Sequence, residues 1–392
     1  MRSNTWRAIM LLSLTLVLVS GAMDAQAARR SSLAGNQFIN DADDMFAFPQ
    51  LLHKYKNRVI IDMAPGNGDE GNASVVFGDN MVWNFNTGRS DFLNNTATWA
   101  AGSADRFGTF PMFGVPGIIE DPMEWWDLGL ATHLGDTPFG VNISYASSKD
   151  EFTGGTPGAD VDESLSMLSL QAGITLGTID LAAEVGFGGY EDKSDGLDPQ
   201  NQNDYGMFNF SLLARGDLED MGGLDWRWIA AFGNGSHSPD ADGAEDVSTT
   251  GFRGSFGPVW GNPGEWEVAA YMNFEYLKYD FGGDDYWKTM SFPGYNIAME
   301  YYLNSWFVTR GGVRSYNATE TMSEEVGVDL VDEYNERAYD FFWTFGLGVD
   351  KGNWGIDMAL EEQTLHSGYV VLNGNQGIGN DPIAYLSAWL AW

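Results

Sequence analysis

The chain has 392 residues, no cysteine, and 20 Lys and Arg against 55 Asp and Glu, which gives a formal net charge of −35 at pH 7. Such an acidic chain argues against nucleic-acid binding, and the lack of cysteine excludes thiolate metal sites and cysteine nucleophiles. An aromatic content of 14%, with 15 Trp, is not that of a disordered acidic protein, so the chain is expected to fold.

Residues 1–27 have the pattern of a secretory signal peptide. Arg2 and Arg7 precede a short apolar core at 8–19, and Ala25-Gln26-Ala27 matches a cleavage site. The core is shorter than the ~20 apolar residues that a membrane helix needs, and an uncleaved anchor is the alternative. No later stretch is long and apolar enough for a helix, so a membrane-embedded mature protein would have to cross as strands.

Residues 28–57 show no strand pattern and precede the first predicted strand. We interpret them as a periplasmic N-terminal segment, with two alternatives: a plug inside the lumen of a barrel, or a loose tail. The apolar candidates for such a plug are Phe46, Phe48, Pro49, Leu51 and Leu52.

Residues 58–392 are predicted to form an all-β, antiparallel transmembrane β-barrel. Apolar residues recur at every second position, as in the row Ile179, Leu181, Ala183, Val185 and Phe187. The rows are about 9–11 residues long, the length of a tilted strand that crosses a bilayer. Sixteen strands can be counted, or fourteen if the hairpin at 73–86 folds within the first outer loop.

The predicted connections alternate between short turns and long acidic loops, as in outer-membrane barrels. The long loops are predicted at 148–162, 190–203, 235–246, 280–286, 317–337 and 366–382. The stretch 87–121 is long and apolar, which predicts either a site for a partner or ligand or a small self-packed cap.

Charged residues lie on the polar face of the predicted strands. An Arg or Lys that faces lipid at the bilayer midplane costs ~2–4 kcal/mol, so these residues are predicted to line the lumen. They either select solutes by charge or form a salt-bridged interior without selectivity. The set is Glu184, Arg215, Arg227, Glu267, Glu275, Glu300, Arg310, Arg314, Asp357 and Glu361.

The last predicted strand, 383–392, ends on an aromatic residue and resembles the terminal strand of a bacterial outer-membrane β-barrel. In such barrels the final aromatic is part of the insertion signal, here assigned to Tyr385, Leu390 and Trp392. This places the protein in a Gram-negative-type outer membrane. The expected partners are outer-membrane lipid and lipopolysaccharide, the barrel-assembly machinery and a small-molecule solute, while the oligomeric state is left open.

No catalytic or cofactor motif is found. The four histidines are His53, His133, His237 and His366. His237 and His366 have serine neighbours in predicted outer loops, but serines beside a loop histidine are common and do not by themselves indicate a Ser-His-acid site. The acidic run at 240–246 lacks the ligand spacing of a calcium loop, although loosely bound divalent ions could bridge it to lipopolysaccharide. We therefore predict a protein that is not an enzyme, with no cofactor and no structural metal.

The stretch 38–52, followed by Lys54-Tyr55-Lys56-Asn57 and the first strand, resembles the N-terminal hatch of the FadL long-chain fatty-acid transporter family. An Asn-Pro-Ala-Gly-Leu-like turn precedes the first strand in that family, and Phe48-Pro49-Gln50-Leu51 takes its place here. The resemblance implies a fourteen-stranded, plugged barrel that moves hydrophobic molecules inward.

The predicted function is thus an outer-membrane channel or transporter for passive uptake of small solutes, hydrophobic ones included. The alternative is a non-conducting surface-binding or structural barrel whose acidic outer loops bind ions, glycans or a partner protein.

Overall fold

The computed structural model describes residues 28–64, 70–87, 124–152, 161–192, 205–218, 224–239, 246–282, 285–325, 331–360 and 383–392. The predicted signal peptide, nearly all of the apolar stretch 87–121, Glu361, the loop 366–382 and most of the acidic run 240–246 lie outside these residues.

Sixteen antiparallel strands form one closed barrel, in which each strand pairs with its neighbours in sequence and the first pairs with the last. This confirms the predicted fold. The strands are β1 (Arg58–Ala64), β2 (Glu70–Phe77), β3 (Val82–Thr87), β4 (Glu124–Leu134), β5 (Thr137–Phe152), β6 (Val161–Leu176), β7 (Ile179–Asp192), β8 (Tyr205–Leu218), β9 (Asp225–Pro239), β10 (Val247–Asn262), β11 (Trp266–Gly282), β12 (Asp285–Tyr302), β13 (Phe307–Glu325), β14 (Val331–Asp350), β15 (Trp354–Leu360) and β16 (Ile383–Ala391).

The hairpin at 73–86 belongs to the barrel wall. β2 pairs with β1 from Arg58↔Val76 to Ala64↔Glu70, and β3 pairs with β4 from Val82↔Ala131 to Thr87↔Trp126. The fourteen-strand alternative is therefore wrong, and the count also departs from the fourteen strands that the FadL resemblance implies.

Several predicted outer loops are mostly strand. The β13–β14 ladder continues from Phe307↔Val349 to Glu325↔Val331, across most of the loop predicted at 317–337. β11 likewise runs to Gly282 and β12 begins at Asp285, within the loop predicted at 280–286. In the sequence of β13 and β14 there, acidic residues occur at odd and even positions alike, so no two-residue alternation is visible, while the backbone ladder continues.

The two faces of the wall differ in polarity. On β10, Phe252 and Phe256 point outward and are 44% and 40% exposed, whereas Arg253 and Ser255 between them are buried. This apolar-out, polar-in alternation is that of a transmembrane barrel. Exposed aromatic side chains also lie beside the short turns, at Trp266, Tyr301, Trp306 and Trp354.

The N-terminal segment comprises helices α1 (Ala28–Ser32) and α2 (Asp44–Ala47) and a 3₁₀ helix (Pro49–Tyr55). Most of its side chains are buried, and it leads directly into β1. Among the residues that the structure describes, no helix is long and apolar enough to cross a membrane.

Candidate functional site: the barrel interior

The N-terminal segment lies inside the barrel, because its contacts reach opposite walls. The Gln171 side chain of β6 donates a hydrogen bond to the Ala47 carbonyl at 3.1 Å. The Thr344 hydroxyl of β14 donates to the Ser32 carbonyl at 2.8 Å. β6 and β14 are eight strands apart in a ring of sixteen, so they face each other across the interior.

Glycines of the wall make room for the backbone of the segment. A Cβ atom built on Gly140 of β5 would lie 2.3 Å from the carbonyl carbon of Pro49. A Cβ built on Gly312 of β13 would lie 2.4 Å from the carbonyl carbon of Leu33. Both distances are too short for any side chain, and β5 and β13 are again eight strands apart. The segment thus fits between two walls that lack side chains at the points of closest approach.

A buried ion-pair network centred on Asp44 joins α2 to β8. The Asp44 carboxylate accepts hydrogen bonds from Arg30 at 2.5 Å and from Arg215 at 2.7 Å. Arg215 also pairs with Asp180 at 3.1 Å, and its guanidinium lies 4.9 Å from the centre of the Phe48 ring. Burial acts to raise the pKa of Asp44, but the charges of Arg215 and Arg30 outweigh it and hold the pKa below its ordinary value.

A second network, centred on Glu300, joins α1 to the opposite side. Glu300 of β12 accepts hydrogen bonds from Arg29 at 2.9 Å and from Arg310 of β13 at 2.6 Å. Arg310 also binds Asp357 of β15, and Arg29 lies 3.6 Å from Asp41. Consecutive arginines in α1 therefore serve different networks: Arg29 binds Glu300 and Arg30 binds Asp44.

Two asparagines add neutral hydrogen bonds between the segment and the wall. The Asn36 amide donates to the Asn296 side chain at 2.6 Å, and the Asn296 amide donates to the Ala34 carbonyl at 2.9 Å. On β9, the Arg227 guanidinium donates to the Phe38 carbonyl. These contacts satisfy backbone carbonyls that a non-helical, buried stretch would otherwise leave unpaired.

Apolar side chains of the segment pack on inward-facing residues of the wall. The Phe38 ring packs against Tyr271 in a tilted arrangement, with 4.5 Å between the ring centroids. The predicted plug residues Phe46, Phe48, Pro49, Leu51 and Leu52 are all buried. Phe48 and Leu51 belong to one apolar cluster, and Phe46 and Leu52 belong to another. Their role as a plug is not tested by these positions and stays a prediction.

Five of the ten predicted lumen residues bind the segment or belong to its ion-pair networks: Arg215, Arg227, Glu300, Arg310 and Asp357. Four others also lie on the inner wall, and two of them are near the segment: the guanidinium of Arg314 is close to Gly35, and Glu267 interacts electrostatically with Arg29. Glu184 is buried and accepts a hydrogen bond from Ser169, Glu275 lies 3.4 Å from Arg253, and Glu267 and Arg314 are half-buried. Glu361 is outside the described residues. Selection of solutes by this set stays a prediction.

The contacts of the segment lie in the half of the barrel next to the short turns. Arg215 is three residues from the end of β8, and Arg227 is two residues from the start of β9. A separate polar cluster on β3, β4 and β5 lies nearer the long loops: Asp127 accepts hydrogen bonds from Asn86 at 2.9 Å and from Asn142 at 3.3 Å.

The C-terminal strand completes the barrel. The Trp392 backbone N–H donates to the Asn57 carbonyl at 3.1 Å, and the Trp392 side chain is 60% exposed. Leu390 pairs with Val59 across the β1–β16 seam, and Tyr385 pairs with Ala359 on β15. Their assignment as an insertion signal stays a prediction.

Sequence reasoning missed the polar residues that hold the segment: Arg29, Arg30, Asn36, Asp44 and Asn296. One signal was available, because two adjacent arginines follow the predicted cleavage site in a chain with only 20 basic residues. The asparagines and the wall glycines carry no local signal, since their partners lie more than 90 positions away in sequence.

One histidine pair lies at the end of the barrel with the short turns. The rings of His53 and His133 are 4.3 Å apart, and burial lowers the pKa of His53. Within the described ranges, no group of three or more His, Asp or Glu side chains could hold a metal ion.

No family model matches the chain, and no curated protein matches it. Among solved structures, the FrpB iron transporter from Neisseria meningitidis (F3-3 variant) aligns with 82% of this chain and 63% of its own, at 9% identity and a TM-score of 0.41. CdiB from Escherichia coli aligns with 86% and 62%, at 12% identity and a TM-score of 0.39. The ferric yersiniabactin uptake receptor FyuA from Yersinia pestis aligns with 62% and 44%, at 11% identity and a TM-score of 0.33.

The chain spans less than two thirds of the length of each of these three proteins. With every TM-score below 0.5, the similarity gives no ground for transferring their substrates to this chain.

Proposed function

We propose that this chain is an outer-membrane channel or transporter for passive uptake of small solutes, and that residues 28–57 plug its lumen in the conformation described here. The observation that carries the proposal is the pairing of contacts on strands eight apart, at Gln171 and Thr344 and at Gly140 and Gly312. A loose periplasmic tail would make no such paired contacts across the barrel.

The membrane location is supported by the outer surface, which carries large exposed apolar side chains between polar inward ones, and by the signal-peptide pattern of residues 1–27. A soluble protein would not expose so many phenylalanine and leucine side chains around its whole circumference.

The polarity of the segment favours a plug that can move. Asp44, Glu300 and their arginines hold it by ion pairs, and such contacts weaken when water enters and raises the local dielectric constant. Departure of the segment would leave an interior lined by charged and amide groups, which suits polar solutes. Uptake of hydrophobic solutes is supported only by the resemblance of residues 38–52 to the FadL family.

A non-conducting barrel is the second candidate, and the same ion pairs favour it. Two buried networks on different walls could make the plug permanent, which would leave the outer loops as the functional surface. The two candidates differ in whether loosening the segment produces ionic current.

Conductance across planar bilayers tests the proposal. In the double variant Arg29→Gln, Arg30→Gln, each network loses the cation that the segment supplies. The matched control is Lys54→Gln, Lys56→Gln, which removes the same charge from exposed side chains of the same segment. We expect near silence from the natural protein and the control, and stepwise current from the Arg double variant.

Two outcomes would contradict the proposal. Steady ohmic current from the natural protein would mean an open pore. Silence from a correctly folded Arg double variant would favour the non-conducting barrel. Proteoliposome swelling with sugars of increasing size then measures the solute limit of the opened form.

A further inference from the structure

Ser387 on β16 lies between two carboxylates at the seam of the barrel. It pairs with Asp62 of β1 on one side and with Asp357 of β15 on the other. All three side chains are buried and share the inner face of the wall. The first residue of α1, Ala28, is also buried, and its backbone nitrogen donates a hydrogen bond to the Ser387 hydroxyl at 2.6 Å.

One carboxylate oxygen at this seam lacks a partner. Ser387 lies opposite Asp62 on the neighbouring strand, and the Oδ1 atom of Asp62 is buried and has no hydrogen-bond partner among the described residues. A buried acceptor without a donor costs ~1–3 kcal/mol, and more if it is charged. A donor to this atom is therefore expected from the processed chain, which has amine hydrogens that the uncleaved chain lacks.

Asp62 and Asp357 lie on either side of Ser387, and both interact electrostatically with Asp41. Asp357 is bound by Arg310, whereas Asp62 has no ion pair among the described residues. An added cation at the Ala28 nitrogen would lie beside the Ser387 hydroxyl, on the strand between these two carboxylates.

We propose that the α-ammonium group of Ala28, released by cleavage after Ala27, is bound by Asp62, Ser387 and Asp357. A signal peptidase would hydrolyse the Ala27–Ala28 peptide bond with one water molecule. The new carboxylate leaves with the signal peptide, and the new amine takes up a proton. The single amide N–H then becomes three donors with a positive charge.

An α-amino group ordinarily titrates near ~7.7–8.0 and is mostly protonated at pH 7. One N–H continues to serve Ser387, and the other two are available to Asp62 Oδ1 and to Asp357. The site is therefore specific for a processed chain, because an uncleaved Ala28 nitrogen carries neither the charge nor the extra donors. The proposal rests on export and cleavage, which are part of the proposed function, and is independent of whether the barrel conducts.

Amine labelling of the folded protein in detergent tests this. Reductive dimethylation, followed by digestion and mass spectrometry, measures the labelling rate of the Ala28 α-amine beside that of the exposed Lys54. We expect Ala28 to be labelled at least tenfold more slowly than Lys54, and both to be labelled fully after denaturation. In Asp62→Asn the Ala28 rate should rise severalfold, whereas in Asp79→Asn, an exposed turn residue, it should not change.

The proposal is overturned if the mature chain begins elsewhere, or if Ala28 reacts as fast as Lys54. It is also overturned if Asp62→Asn leaves the protection unchanged. Should Asp62→Asn fail to fold, Ser387→Ala, which removes the observed acceptor, takes its place with the same expected rise. A conductance failure would leave this result untouched, so the two proposals fail separately.

Discussion

Replacing Asp44 by Asn removes the carboxylate that Arg30 and Arg215 share. Asp44→Asn keeps the size of the side chain but leaves the charges of Arg30 and Arg215 without their shared partner. Breaking a buried ion pair by neutralising one member costs ~3–5 kcal/mol. Each arginine keeps another acceptor, the Asn36 carbonyl at 2.7 Å and Asp180 at 3.1 Å, so we expect the lower end, about 3 kcal/mol.

The loss should appear in the position of the segment and not in the barrel wall, because no strand pairing depends on Asp44. At ~1.4 kcal/mol per factor of ten, about 3 kcal/mol raises the population of the released segment ~100-fold. The measurement is the open probability of single channels in planar bilayers at pH 7. Heat-modifiable migration in gels checks that the barrel is intact.

Asp136→Asn is the matched control, since Asp136 is an exposed carboxylate in the short turn between β4 and β5. An Asp44→Asn protein with an intact barrel and an open probability equal to that of Asp136→Asn would refute the reasoning. It would mean that the ion-pair network does not hold the segment.

Three further predictions concern the wall, the pH and the C-terminus. Gly140→Ala should displace Pro49, destabilise the closed form by about 1–3 kcal/mol and raise the conductance. The control is Gly233→Ala, whose Cβ would meet nothing within 4 Å; it should leave both the conductance and the melting temperature unchanged. Because the folded pKa of Asp44 lies below its unfolded value of ~3.9, its stabilisation is present above that pH and is lost as the pH falls through the folded pKa. Channel opening should therefore increase only below about pH 4 and should lose this dependence in Asp44→Asn, and an increase already complete at pH 5 would contradict the assignment. Trp392→Ala should reduce the amount of assembled barrel severalfold in outer-membrane fractions, since the exposed ring is accessible for recognition. The same change at Trp354, another exposed tryptophan, should have less effect.

The barrel could be predicted from the sequence because its wall has two chemically different faces. Rows such as Ile179 to Phe187 alternate along β7, and an alternation of that kind needs no knowledge of distant residues. Strand ends were predicted poorly on the side of the long loops, where acidic residues occur at odd and even positions of the sequence alike and no alternation indicates a strand. β13 and β14 show this most clearly.

The interior was less predictable, because its contacts join residues that closure of the ring brings together. Asn36 and Asn296 are 260 positions apart, and neither has neighbours that indicate the other. The charged residues on the inner face could be named, since charge does not face lipid. Which of them would pair with the N-terminal segment depends on the diameter and register of the ring, which no local pattern encodes.

The hydrogen bond between Ala28 and Ser387 joins residues 359 positions apart, near opposite ends of the chain. Its acceptor lies on β16, the strand that also pairs with β1 and closes the ring. The same strand therefore completes both the wall and this contact of the segment. Loss of β16 would open a gap between β15 and β1 and would also remove the acceptor that Ala28 uses.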